Sequence, residues 1–253
     1  MTHSYGHVDV SQLKLGKLPR KIDQRTLRGA SFIDLKLAVP PEEVDYRSGI
    51  TDWQMYGNDV EGDCTCAAVG HMRKVWSKIA TGTEVSDTDA DILTAYHHFS
   101  PPPADTGAVE LDVLNYWRQV GIGGEKIVAY VALPVSQQLL VKTAMWLLGG
   151  LYVGAELPLS AQSQVGGVWD VVAGPDAQAG SWGGHAFNVV RLDSKGGTGI
   201  TWAREQEFTW AWWSAYITED YGVLPSEWEA FVTRLSPSGQ NFAQLAADVA
   251  GGL

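Results

Sequence analysis

The run from Asp63 to Ala80 constrains this chain most, because it reads as an amphipathic helix that opens on a thiol. Ala68, Met72, Val75, Trp76 and Ile79 recur at helical spacing and form one apolar stripe, so the helix must lie against another layer. Asp63 is a good N-cap residue, and Cys64 follows it in the first turn. There the positive end of the helix dipole favours the thiolate, which is the nucleophilic form of cysteine. The competing reading is a small buried residue, a common fate for cysteine. Cys66 points about 200° away from Cys64 around the helix and is read as core, which also leaves the pair badly placed for a disulfide. Asn58 stands six residues before Cys64.

The 253 residues suffice for one large domain or two small ones, and 45% hydrophobic with 19% charged residues excludes a disordered chain. A net charge of −11 argues against nucleic acid or an anionic membrane as partner. Residues 1–43 have little periodicity, end in Pro40-Pro41 and read as an extended arm, followed by one body over 44–253. The arm is basic, with Lys14, Lys17, Arg20, Lys21, Arg25 and Arg28 against the single acid Asp23 between Ser11 and Ala30. It is expected to pack on an acidic surface of its own body or to grip a protein neighbour. The first residues lack the pattern of a signal peptide, and no run of 18 apolar residues occurs, so the expectation is a soluble cytoplasmic protein or part of a particle.

Helices are expected over Asp87–Phe99 (capped by Ser86 or Asp87), Glu110–Val120 and Ser136–Leu148, and mainly within 44–125. Strands are expected over Lys126–Leu133, Tyr152–Leu157 and His185–Asp193, with Ile200–Ala203 as its hairpin partner, and near Tyr221–Leu224. Ser160–Ser181 has little pattern and reads as a site wall or lid. Thr209–Glu219 reads as a helix rich in tryptophan, and Gln240–Val249 as a polar-then-apolar tail. His71 lies two turns after Cys64, but two cysteines at i, i+2 lack ligand spacing, so neither a metal nor a cofactor is expected. His97 and His98 close a helix and read as dipole partner and packed residue.

Two pieces resemble the papain superfamily of cysteine peptidases. Val44-Asp45-Tyr46-Arg47, Asn58 and Cys64 resemble the opening of the catalytic domain, its oxyanion-hole glutamine and its nucleophile. Gly183-Gly184-His185-Ala186-Phe187-Asn188-Val189-Val190 is similar to the strand that carries the base. The Gly-Asp-Cys-Thr variant also resembles that of papain-like proteins encoded by bacteria and phages. The resemblance implies an α+β fold in which a helical half, with a central Cys-bearing helix, packs against an antiparallel sheet half.

It further implies Cys64 as nucleophile, His185 as base and Asn58, with the Cys64 backbone N–H, as oxyanion hole. An Asx-turn at Gly57-Asn58-Asp59 is the rival reading of Asn58. Trp182, Gly183 and Gly184 form the wall beside His185, where glycines let a peptide backbone approach closely. The third member is irregular. Sixteen residues beyond His185 stands Thr201, which can accept from an imidazole; the alternative register gives Ile200, which cannot, and Asp193 and Gln206 are further candidates. Trp202 shields the pair from water in either register. The implied reaction is hydrolysis or transfer at peptide, isopeptide or related amide bonds through a thioester. The alternative is a catalytically degenerate papain-fold structural or interaction protein, including a phage virion component. The arm is too short for the inhibitory propeptide typical of that superfamily, so a removable prodomain is not expected.

Overall fold

A computed structural model describes residues 9–33, 35–36 and 38–225. The expected Gln240–Val249 tail lies outside the described residues.

In chain order the elements are β1 (Val44–Asp45), α1 (Cys64–Thr81), α2 (Asp89–Phe99), α3 (Glu110–Gln119), β2 (Ile127–Ala132), α4 (Gln138–Leu148), β3 (Leu151–Leu157), β4 (Val168–Trp169), β5 (Gly183–Leu192), β6 (Gly196–Thr201), β7 (Arg204–Thr209), α5 (Trp210–Tyr216) and β8 (Ile217–Pro225). The eight strands form one sheet in the order β2-β8-β3-β5-β6-β7-β4, with β1 pairing to the far end of β5. All pairings are antiparallel except β4 with β7. The α+β architecture inferred from the resemblance is therefore present.

Helix α1 is buried almost along its whole length and packs on β5, which is why both its apolar stripe and its polar residues lie inside. On one side Met72, Trp76, Leu111, Leu114 and Trp117 join α1 to α3, with Trp76 and Trp117 stacked at 5.6 Å. On the other, α4 and α5 cover the sheet with Val141, Met145, Trp212 and Trp213. The tryptophans at 202, 212 and 213 are thus core, along with Trp169.

Several expected boundaries move, each for a local reason. Helix α2 starts two residues later, because Thr88 is the cap: its Oγ1 accepts from Asp91 N–H (3.2 Å) while the Asp91 carboxylate accepts from Thr88 N–H (3.0 Å). Ser136 does not cap α4, which begins at Gln138 with no side-chain cap. The expected hairpin has a third strand, β7, whose polar run Arg204-Glu205-Gln206-Glu207 hides its extended character. The tryptophan helix stops at Tyr216 because β8 starts at Ile217. Residues 160–181 carry more order than expected. Short 3₁₀ turns at Leu159–Gln164 and Pro175–Ala177 flank β4, and Gln206 ties the segment down, accepting from Gly166 N–H and donating to the Gly167 carbonyl, both at 2.9 Å.

Candidate active site

Helix α1 points its first residue at the start of β5. The Ala186 backbone N–H, one residue past His185, donates to Cys64 Sγ at 3.4 Å. His185 enters β5 opposite Ala155 of β3, and its Nε2 lies 2.5 Å from Thr201 Oγ1 at the end of β6. Among the described residues nothing hydrogen-bonds His185 Nδ1. Cys64, His185, Thr201 and Asn58 are all buried.

Of the other third-position candidates, Ile200 is buried among Ile50, Trp53 and Val190. Asp193 accepts from the Lys195 and Gly196 N–H groups, and Gln206 serves the loop described above.

Trp202 roofs the histidine. Its ring stacks on His185 with centroids 4.2 Å apart and planes 20° from parallel, and Trp182 flanks it at 5.5 Å. The β6–β7 turn that carries it has positive φ at both Trp202 (+47°) and Ala203 (+58°). Type I′ hairpin turns require that geometry and normally use Asn or Gly, so the turn accepts strain that puts an indole over the imidazole.

Asn58 lies in a tight turn closed by Val60 and Glu61 N–H groups on the Gly57 carbonyl. Its Nδ2 donates to the Glu61 carbonyl at 3.2 Å, which engages one of its two amide protons. Asp63 precedes α1 but makes no side-chain cap bond; burial pushes its carboxyl well above the usual range, and the Asn58 amide only partly offsets that. His71 Nε2–H donates to the Gln54 carbonyl (3.0 Å) rather than meeting Cys64. Among the described residues no group of three or more potential metal ligands occurs.

The arm runs through this cleft. Lys14 N–H donates to the Asn58 carbonyl, Trp202 Nε1 donates to the Lys14 carbonyl (3.0 Å), Ala108 N–H donates to the Gly16 carbonyl (2.8 Å), and Lys17 N–H donates to the Gly184 carbonyl (3.1 Å). Leu18 N–H closes the row on the Ala108 carbonyl at 2.9 Å. Glycines on both sides make the approach fit. A Cβ on Gly16 would sit 1.6 Å from the Gly62 carbonyl oxygen, and one on Gly184 2.2 Å from the Lys17 oxygen. Leu15 lies against Gly183. The Gly16 N–H is directed at Cys64 Sγ. The arm thus fills the cleft as a plug.

This placement corrects the electrostatic expectation for the thiol. Burial pushes the Cys64 thiol up to about 12, despite the Ala186 and Gly16 N–H groups that favour the thiolate, and burial pulls His185 down to about 3. With the cleft filled, thiol and imidazole are both neutral at pH 7, and the helix dipole loses to desolvation.

The arm is where reading the residues fell short. Its lack of periodicity marks an extended arm, yet nothing in its residues names the cleft as its partner. Its basic residues do meet acids of the body: Lys21 Nζ pairs with Asp112 at 2.6 Å, and the buried Lys17 lies between Glu156 and Glu219.

No protein-family model matches this chain, and no curated protein matches it in sequence. Solved structures do. Xylellain, a cysteine protease from Xylella fastidiosa, superposes with a TM-score of 0.64 at 13% identity, over 84% of this chain and 96% of that one. Procathepsin B S9 from Trypanosoma congolense gives 0.59 at 13% over 85% and 87%. The Carica candamarcensis cysteine protease CMS1MS2, in complex with E-64, gives 0.54 at 15% over 73% and 98%. The fold is papain-like. At these identities the papain-like neighbours speak to the fold, and the chemistry must be argued from the residues in the cleft.

Proposed function

We propose that this papain-like chain is a cysteine hydrolase of peptide, isopeptide or related amide bonds, held closed by its own arm. What supports the reading is that Cys64 Sγ, at a helix N-terminus, accepts from the Ala186 N–H next to His185, whose imidazole is paired with Thr201 under a tryptophan roof. In the open cleft, Cys64 Sγ attacks the substrate carbonyl carbon and its proton passes to His185 Nδ1. Thr201 Oγ1 accepts from Nε2–H and fixes the tautomer and ring orientation. The Cys64 backbone N–H serves as oxyanion donor, and the Asn58 amide, held by the Glu61 carbonyl and the Asp63 carboxyl in the closed cleft, would have to turn to join it. Collapse breaks the C–N bond, His185 returns the proton to the leaving amine, and a thioester remains. Water, deprotonated by His185, then hydrolyses the thioester and frees the thiol.

The filled cleft and the neutral Cys–His pair also fit a second reading, a papain-fold structural or interaction protein whose arm never leaves. The two part in one experiment on the full chain, with Cys64→Ala and His185→Ala as controls. Iodoacetamide labelling and hydrolysis of a fluorogenic peptide amide are followed after the arm is displaced by Gly16→Ala. Turnover that Cys64→Ala abolishes is expected; labelling of Cys64 without any turnover supports the structural alternative.

A further inference from the structure

Lys17 fills a pocket that is more acidic than one lysine requires. Its Nζ lies 3.0 Å from Glu219 Oε1 on β8 and 3.2 Å from Glu156 Oε1 on β3. A third carboxyl, Glu110 at the start of α3, is wholly buried beside Glu219, and it projects at the same spot: a Cβ on Gly154 would meet Glu110 Oε2 and Lys17 Cε, each at 2.2 Å. Tyr221 Oη donates to Glu219 Oε2 at 3.1 Å and orients that carboxylate. Burial and the neighbouring Glu219 push the Glu110 carboxyl well above its usual range, with Lys17 opposing. Burial pulls Lys17 down, yet Glu110, Glu219 and Glu156 outweigh it and the net shift is upward.

Anchoring a strap needs one counter-ion. Here three carboxylates from three elements converge on a floor kept open by a glycine, and a departing arm would leave them facing one another without a cation. Losing the ammonium removes what opposes the upward push on Glu110, so the emptied pocket must take up either protons or a new ammonium. We propose that this pocket is a subsite for a basic side chain, and that the substrate is a peptide carrying lysine beside the residue held at Cys64. The peptide's lysine takes the place that Lys17 occupies, its neighbour sits where Gly16 meets the sulfur, and the arm blocks the site by mimicking that lysine. This inference rests on the hydrolase reading for the word substrate, and on the carboxylates alone for the cation.

The test separates the two. In the full chain, Lys17→Ala removes the propylammonium end of the side chain, and n-propylammonium chloride is added back, with n-propanol as the uncharged control. At about 100 mM the ammonium should raise the Tm of Lys17→Ala by a few degrees through mass action. It should do so neither for the wild type nor for Lys17→Ala combined with Glu219→Gln. An equal response to the alcohol, or from the wild type, overturns the pocket. If Lys17→Ala does not fold, Glu156→Gln, whose carboxylate side chain is 33% exposed, replaces it: iodoacetamide labelling of Cys64 should rise about tenfold, and an unchanged rate overturns the proposal. In the Gly16→Ala chain, kcat/KM for a lysine peptide should exceed that for its norleucine analogue at least about tenfold. Equal kcat/KM values overturn the subsite. No turnover of either peptide, with the ammonium effect present, removes the hydrolase reading and the substrate with it, and leaves a cation site.

Discussion

Replacing Gly16 by alanine should unlock the cleft without touching any group proposed to act on substrate. The new methyl would stand 1.6 Å from the Gly62 carbonyl oxygen, 2.4 Å from its carbon and 2.8 Å from its Cα. These are backbone atoms just before α1, so no rotamer change can relieve the overlap. What is lost is the arm's row of bonds at Asn58, Ala108, Gly184 and Trp202. Each such bond contributes about 0.5–1.5 kcal/mol net, so the row holds the segment by a few kcal/mol. Losing about 3 kcal/mol raises the open population roughly 100-fold, at 1.4 kcal/mol per decade. Alkylation of Cys64 by iodoacetamide reports that population when opening and closing are fast. The expected result is labelling of Cys64 about 100-fold faster in Gly16→Ala, measured by peptide mass mapping, with a far-UV spectrum like that of the wild type. Unchanged labelling in a folded Gly16→Ala protein, or fast labelling of the wild type, would refute the plug.

The pH profile follows from the same burial. Thiolate forms far more readily in the open cleft than in the closed one, so wild-type alkylation should keep climbing above pH 9, whereas Gly16→Ala should level off near the ordinary thiol value of about 8.5. In the opened chain, Thr201→Val strips the acceptor from His185 at nearly constant volume; turnover of a peptide amide should fall about 100-fold or more, while Cys64 still alkylates. The Arg73–Asp87 pair beneath α1 is buried, with Arg73 also donating to the Ile122 carbonyl at 3.2 Å. Arg73→Met leaves the Asp87 carboxylate buried and uncompensated and should lower stability by about 3–5 kcal/mol, read from urea unfolding.

Much of the fold could be read from the residues because it follows local rules. The α1 stripe, the apolar runs of β3 and β5 and the Gly-terminated α4 each announce themselves by period and cap. Strand β7 did not, since one face of Arg204–Thr209 is solvated and its charges imitate a loop. Of the candidate site, Cys64, His185 and Thr201 stand at spacings that a resemblance can index, and the structure brings His185 and Thr201 to 2.5 Å. The filling of the cleft has no such index. It depends on backbone–backbone contacts between Gly16 and Gly62, some 46 residues apart, and on carboxylates at 110, 156 and 219 that meet only when α3, β3 and β8 are folded together. For the same reason the state of the thiol was read with the wrong sign: the dipole is local and visible, whereas desolvation is a property of the assembled cleft.

Trp202 does two jobs with one ring, covering the imidazole with its face and holding the Lys14 carbonyl with its edge. The strap and a proton on His185 are therefore competing ligands of one stacked pair, Trp202 and His185. Closure keeps the imidazole dry and holds its affinity for a proton low. Protonation, in turn, charges a group that the closed cleft cannot hydrate, so it weakens closure by the same factor, as reciprocity between two ligands demands. Acid should thus release the arm even with every carboxylate pair intact, and amide protection at Lys14, Lys17 and Leu18 should fall as pH drops from 7 towards 4. The strained turn at Trp202–Ala203 is what joins the two ligands, making a hairpin tip the exchange point between a segment of chain and a single proton.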